Sequence, residues 1–173
     1  MAKKSLVKVQ YRRKRENKTN YYKRLNLLKS DKPRLVVRLM SNTILLQVVK
    51  FEPTGDKVLA SAKSTELKEL GWNYKGSNIP GCYLTGYLLG KIAKEAKVTD
   101  AILDIGFQTT EKGSRIYSAV KGAIDGGLNV PADESIFPDK DRLSGKHIAS
   151  HNKKFASIQK DFEAVKAKIL GSK

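Results

Sequence analysis

The 173-residue chain carries 34 Lys and Arg against 17 Asp and Glu, a formal net charge of +17, with 40% hydrophobic residues and only five prolines. That length can bury a real core in one domain, and that composition excludes a wholly disordered chain. The charge points to a polyanionic partner, and a single cysteine, Cys82, excludes an intrachain disulfide and a cysteine-based zinc cage.

The charge is concentrated at one end, since residues 1–38 hold fourteen Lys and Arg against Glu16 and Asp31. The start, MAKKSLVKVQ, lacks the apolar run of a signal peptide, and the densest apolar stretch, ILLQVV at 44–49, is far short of a bilayer span. A soluble, cytosolic protein is expected. Residues 1–18 show no apolar period and read as an extended arm, which self-repulsion leaves without fixed structure until a polyanion neutralises it.

Thr19 or Asn20 can cap a helix in which Tyr21, Leu25 and Leu28 share a face, and Pro33 requires it to stop. In RLVVRLM, Leu35, Val37 and Leu39 alternate with Arg34, Val36, Arg38 and Met40, the period of a strand. TILLQVVKF (43–51), a turn at EPTGDK, and VLASA (58–62) complete an antiparallel three-strand meander. A helix over about 80–97 carries an apolar side and a stripe of small residues, Cys82, Gly86 and Gly90, which lets it lie close on a sheet. AILDIG (101–106) reads as a buried strand reached by a crossover, hence parallel, and a helix follows over about 114–126.

Residues 127–152 are turn-rich, and a last helix over about 153–169 shows a stripe of Phe155, Ile158, Phe162, Val165 and Ile169, to dock on the core or a partner. The expected fold is α/β: a mixed sheet with one parallel strand, ribonuclease-H-like in strand order, flanked by helices. Three segments are expected: a basic arm and helix (1–33), an α/β core (34–129), and a loop-rich extension ending in an amphipathic helix (130–173).

Enzymatic chemistry finds little support. HIASH sets His147 and His151 four apart, but Ile148 stands where a zinc protease needs its Glu, and no third His exists. His147, after Arg142 and Lys146, reads better as a polar or RNA contact. No phosphate-binding loop or nucleophile elbow occurs, and Cys82 lies in a packing stripe. The enzymatic alternative is a metal-dependent nuclease of ribonuclease-H-like fold. It would use Asp104 on the fourth strand, yet the first strand offers Arg34 and Arg38 where two-metal chemistry needs acids.

The stretch YRRKRENKTNYYKRL (11–25) carries seven Lys or Arg and three Tyr. Guanidinium groups grip phosphate bidentately, and tyrosines beside them suit stacking on unpaired bases. Arg34 and Arg38 would extend this patch onto the folded domain. A membrane helix needs a broad apolar face, which residues 11–18 lack. The residues alone support a soluble α/β protein binding RNA or DNA, with RNA preferred.

These segments, with GCYLTGYLLGKIA, RIYSAVKGAIDGGLNVP and SGKHIA, resemble the L-eighteen family of large-subunit ribosomal proteins, over about residues 8–150. Within it they are most similar to the archaeal and eukaryotic branch that binds 5S ribosomal RNA, and the chain length looks archaeal. The KTNYY and KGAIDGGL segments are the most specific. The resemblance implies a non-enzymatic constituent of the cytoplasmic ribosome that anchors 5S RNA in the central protuberance. It implies no cofactor, metal, small-molecule substrate or membrane. Implied partners are 5S RNA, large-subunit RNA and neighbouring ribosomal proteins, including the other 5S-binding protein. Implied RNA contacts are Lys8, Tyr11, Arg12, Arg13, Arg15, Lys18, Thr19, Asn20, Tyr21, Tyr22 and Arg24 on the arm, then Arg34, Arg38 and Asn42 on the sheet, and Lys146 and His147 in the later loop. The family often has Asp where Asn20 stands, and the final helix matches it only loosely. A generic RNA-binding role outside the ribosome is the other alternative.

Overall fold

The structure, a computed structural model, describes residues 9–171. After a four-residue turn of helix, α1 (Arg12–Arg15), come α2 (Tyr21–Leu28) and strands β1 (Arg34–Leu39), β2 (Ile44–Lys50) and β3 (Lys57–Lys63). Next are α3 (Ile79–Glu95), β4 (Ile102–Asp104), α4 (Arg115–Asp125), the short α5 (Lys140–Leu143) and α6 (Lys146–His151), and α7 (Ile158–Gly171). The sheet order is β3-β2-β1-β4, with β1–β2 and β2–β3 antiparallel and β1–β4 parallel. This is the mixed sheet and strand order expected from the sequence.

Two expectations change at the edges. The arm is not wholly extended, because α1 winds one turn and Asn17 closes it at φ 52. The N–H groups of Lys18 and Thr19 both donate to the Arg13 carbonyl, which folds the chain back. The strand expected to be buried, 101–106, shortens to three half-buried residues, because β4 is an edge strand with a neighbour on one side only.

The core forms where period-2 alternation meets the helices. Leu35, Val37, Ile44, Leu46 and Val48 face Cys82, Leu89 and Ala93 of α3 and Val120 and Ala123 of α4. Asn78 caps α3 by accepting from the Gly81 N–H at 2.7 Å, and Pro80 sits in its first turn, where a missing N–H costs nothing. Gly86 and Gly90 of the small stripe pack on α4 rather than on the sheet, while Cys82 joins the core. A Cβ on Gly86 would lie 2.0 Å from the Ala119 carbonyl oxygen, and one on Gly122 would lie 2.1 Å from that of Tyr83.

A second apolar cluster answers what the last helix docks on. Ile158, Phe162, Val165 and Ile169 of α7 pack with Trp72, Tyr83, Leu84 and Tyr87. Lys166 Nζ donates to the Tyr83 hydroxyl at 3.1 Å, and that hydroxyl donates to Asp125 Oδ2 at 2.7 Å, tying α7, α3 and α4 together. Phe155 falls outside this stripe, on a separate 3-10 turn at Lys153–Phe155.

Cys82 is fully buried, and desolvation pushes its thiol up to about 12. Native protein at pH 8 should therefore leave a thiol-reactive disulfide dye uncoloured until denaturant is added. Because unfolding frees an ordinary thiol that ionises near 9, this group also lowers stability as pH rises above about 9. Immediate reaction of the native protein would mean α3 opens readily.

Candidate nucleic-acid interface

Alternation along β1 turns Leu35 and Val37 to the core and sets Arg34 and Arg38 on the opposite face. Arg34 is 3% exposed. Its Nη1 donates to Asp104 Oδ2 and its Nη2 to Asp56 Oδ2, both at 2.7 Å. Asp56 Oδ1 accepts from Arg24 Nη2 at 2.8 Å, and Asp104 Oδ1 accepts from the Gly106 N–H at 3.0 Å. The relay fixes α2 against the sheet and the β2–β3 turn.

Arg34 therefore lines the patch with its guanidinium already committed to carboxylates. A guanidinium held in a poorly solvated site needs carboxylates, and this one spends both terminal nitrogens on them. It positions Arg24 from beneath. The same pairing removes the residue on which a nuclease would depend, since Asp104 is neutralised by Arg34 and stands in register with Val36, not with an acid. Arg34→Met should cost about 2–3 kcal/mol in chemical denaturation by stranding Asp104, less than a fully buried pair because Asp56 keeps Arg24 and 26% exposure. An unshifted midpoint would show the relay to be incidental.

The arm, α2 and β1 line one concavity of about 400 Å³, with Arg13, Lys18, Thr19, Asn20, Tyr21, Lys23, Arg24 and Arg38 on its walls together with Gly106 and the relay residues Arg34, Asp56 and Asp104. Asn20 is there because it caps α2, accepting from the Lys23 N–H at 3.1 Å. Arg13 is held by its Nε donating to Thr19 Oγ1 at 2.9 Å. Gly106, at φ +61, leaves room for the Arg38 head, which would sit 2.7 Å from a Cβ there. Arg38 makes no ion pair among the described residues. A neighbouring hollow shares Arg13, Lys18 and Arg38 and adds Phe107 and Gln108.

The remaining sequence candidates scatter. Arg12 and Arg15 are exposed on α1, with Arg12 only 3.7 Å from Glu16. Tyr11 sets its ring 5.3 Å from that of Tyr21, and Tyr22 is 76% exposed. Lys8 lies outside the described residues. Asn42 sits in the β1–β2 turn and lines a different hollow, with Lys68 and Lys75. Lys146 donates to Asp141 at 2.8 Å, which holds its ammonium above its usual range. His147 is drawn below the usual imidazole range, first by burial and then by the Arg142 charge. It shares a cavity with Arg115 and Arg142, well away in lining from the arm.

Sequence reasoning missed Asp56 and Asp104 as positioning groups, and Lys23 and Phe107 as lining. An arginine leading an apolar strand run signals a need for carboxylates, but not which ones in the chain supply them.

A sequence model of the family described as ribosomal large subunit proteins 60S L5 and 50S L18 matches residues 5–96 and 91–133. The chain is 50% identical over 165 residues to the large ribosomal subunit protein uL18 of Korarchaeum cryptofilum, covering 94% of this chain and 85% of the relative. It is 47% identical to that of Methanoregula boonei, covering 93% and 92%, and 45% identical to that of Methanosphaera stadtmanae, covering 98% and 97%. Among the described residues, no helix is long and apolar enough to cross a membrane. By both the family match and these relatives, the chain belongs to the 60S L5 and 50S L18 family of large-subunit ribosomal proteins, a structural, non-enzymatic family of the cytoplasmic ribosome.

Proposed function

We propose that this chain is a structural constituent of the large ribosomal subunit that binds 5S ribosomal RNA and anchors it in the central protuberance. Its further partners there are large-subunit RNA and neighbouring proteins, including the other 5S-binding protein. One observation carries the reading: three separate segments, the arm, α2 and β1, bring their cations to a single concavity buttressed from below by Arg34. The folded sheet sets orientation, and the arm neutralises phosphates beside it. An A-form helix hides its major-groove edges, so selectivity comes from shape, 2′-hydroxyls and stacked unpaired bases.

Competition between 5S RNA and a structured RNA of equal length, across a salt series, tests this. A preference for 5S RNA of about a hundredfold or more at physiological salt is expected, on the scale of specific recognition. Steep salt loss without preference would leave a generic RNA-binding protein and overturn the ribosomal 5S role.

A further inference from the structure

The helix layer carries a second cationic hollow that shares no residue with the first. It opens at the first turns of α3 and α4 beside α6, and its lining includes Lys75, Asn78, Ser114, Arg115, Arg142 and His147, with no carboxylate. Lys75 and Arg142 make no ion pair among the described residues, and Arg115 reaches only the Ser77 carbonyl, at 3.3 Å. Asp141, next to Arg142 in the chain, is taken by Lys146.

The start of α4 is also incomplete. Ser114 has the extended backbone of an N-cap, φ −74 and ψ 165, yet its hydroxyl makes no cap bond. That hydroxyl is buried and has no hydrogen-bond partner among the described residues. An 11-residue helix thus presents first-turn N–H groups without a side-chain acceptor, next to two arginines and a histidine. A tetrahedral anion with several acceptor oxygens complements all of these at once.

We propose that this hollow is a second RNA-phosphate site, which takes a backbone phosphate from a strand other than the one on the arm face. Arg115, Arg142 and His147 are its side-chain donors, with Lys75 at the rim. Because Arg38 faces away from the helix layer that Leu35 and Val37 contact, the two sites lie on opposite sides of the sheet. One phosphate cannot serve both, so the protein clamps two RNA segments. The inference rests on the proposed function for the ligand being ribosomal RNA. The second segment belongs either to 5S RNA or to large-subunit RNA.

The test uses the full chain with 5S RNA, large-subunit RNA and a structured control RNA, each across a salt series. R115Q/R142Q is compared with K94Q/K160Q, which removes two exposed lysines elsewhere. The first pair should lower affinity for at least one ribosomal RNA about tenfold or more and make its log–log salt slope shallower by about 0.7–0.9, as for one lost phosphate contact. The responding RNA identifies whose phosphate is held. The control pair should change affinity less than about twofold, because unspecific surface charge makes no fixed contact. Equal effects of the two pairs on both RNAs would overturn the site. R142Q alone, at an exposed and unpaired position, answers the same question if the double variant fails to fold. If the wild-type chain shows no preference for 5S RNA but the pocket variants still flatten the slope, the 5S assignment falls and the phosphate site stands.

Discussion

Gly86→Val is expected to abolish the native fold rather than weaken it. On α3, a Cβ at position 86 would meet the Ala119 carbonyl oxygen at 2.0 Å and the Ala123 nitrogen at 3.0 Å, both backbone atoms of α4. The contact is reciprocal, because a Cβ on Gly122 of α4 would lie 2.1 Å from the Tyr83 carbonyl oxygen and one on Gly126 would lie 2.6 Å from that of Tyr87. No flexible side chain can swing away, so the helices must separate by more than an ångström. Parting them lifts Leu89 and Ala93 from the sheet and loosens Tyr83 and Tyr87 from α7. Ordinary overpacking costs about 1–3 kcal/mol, and this backbone collision should exceed about 5, comparable with the stability of a whole domain. Trp72, fully buried and the only tryptophan, reports the outcome through its fluorescence, with far-UV circular dichroism beside it. Wild-type emission and an unshifted unfolding midpoint would mean that α3 and α4 do not approach so closely.

That interface shows what a sequence does and does not reveal. The four-residue spacing of Cys82, Gly86 and Gly90 marks a face made for close approach, but a period identifies a face and not its partner. The partner carried the same spacing, Gly122 and Gly126 in KGAIDGG, and pairing the two stripes would have put α4 there instead of the sheet. Strands β1–β3 and the start of α2 were legible because alternation and a capping side chain act locally. Helices α5 and α6, with four and six residues, are too short to show a period and stayed hidden in a turn-rich stretch. Phe155 fitted the stripe of α7 by spacing, yet it precedes that helix and packs edge-on against Tyr74, 5.9 Å between ring centres. The cationic arm was visible as composition. That Arg34 would turn inward and bind Asp56 and Asp104 depended on contacts 22 and 70 residues away, which no local pattern encodes.

Replacing Arg12, Arg13 and Arg15 together by Ala is expected to weaken binding to any RNA by on the order of a hundredfold at physiological salt. Each exposed phosphate contact is taken as roughly 1 kcal/mol, and removing three should make the log–log salt slope shallower by about 2–2.7. The three are not equivalent. Arg12 and Arg15 are exposed and act as charge alone, whereas Arg13 holds Thr19 through Nε and lines both hollows on the arm face. Arg13→Ala should therefore lose more than either neighbour, and part of that loss should persist at high salt. Tyr22→Ala should behave differently. Its ring is 76% exposed and no other ring among the described residues packs on it, so it is available to a base, and stacking is worth about 1–3 kcal/mol without any counterion release. The expected result is an unchanged salt slope with a roughly tenfold or greater loss of preference for 5S RNA over a control. Tyr21, already in ring contact with Tyr11, should cost less discrimination and more of the arm's placement. If the arginine and tyrosine variants instead lose affinity alike for every RNA and with the same slope, the tyrosines merely pack the arm. Selectivity would then have to come from the folded face over Arg38 and Phe107.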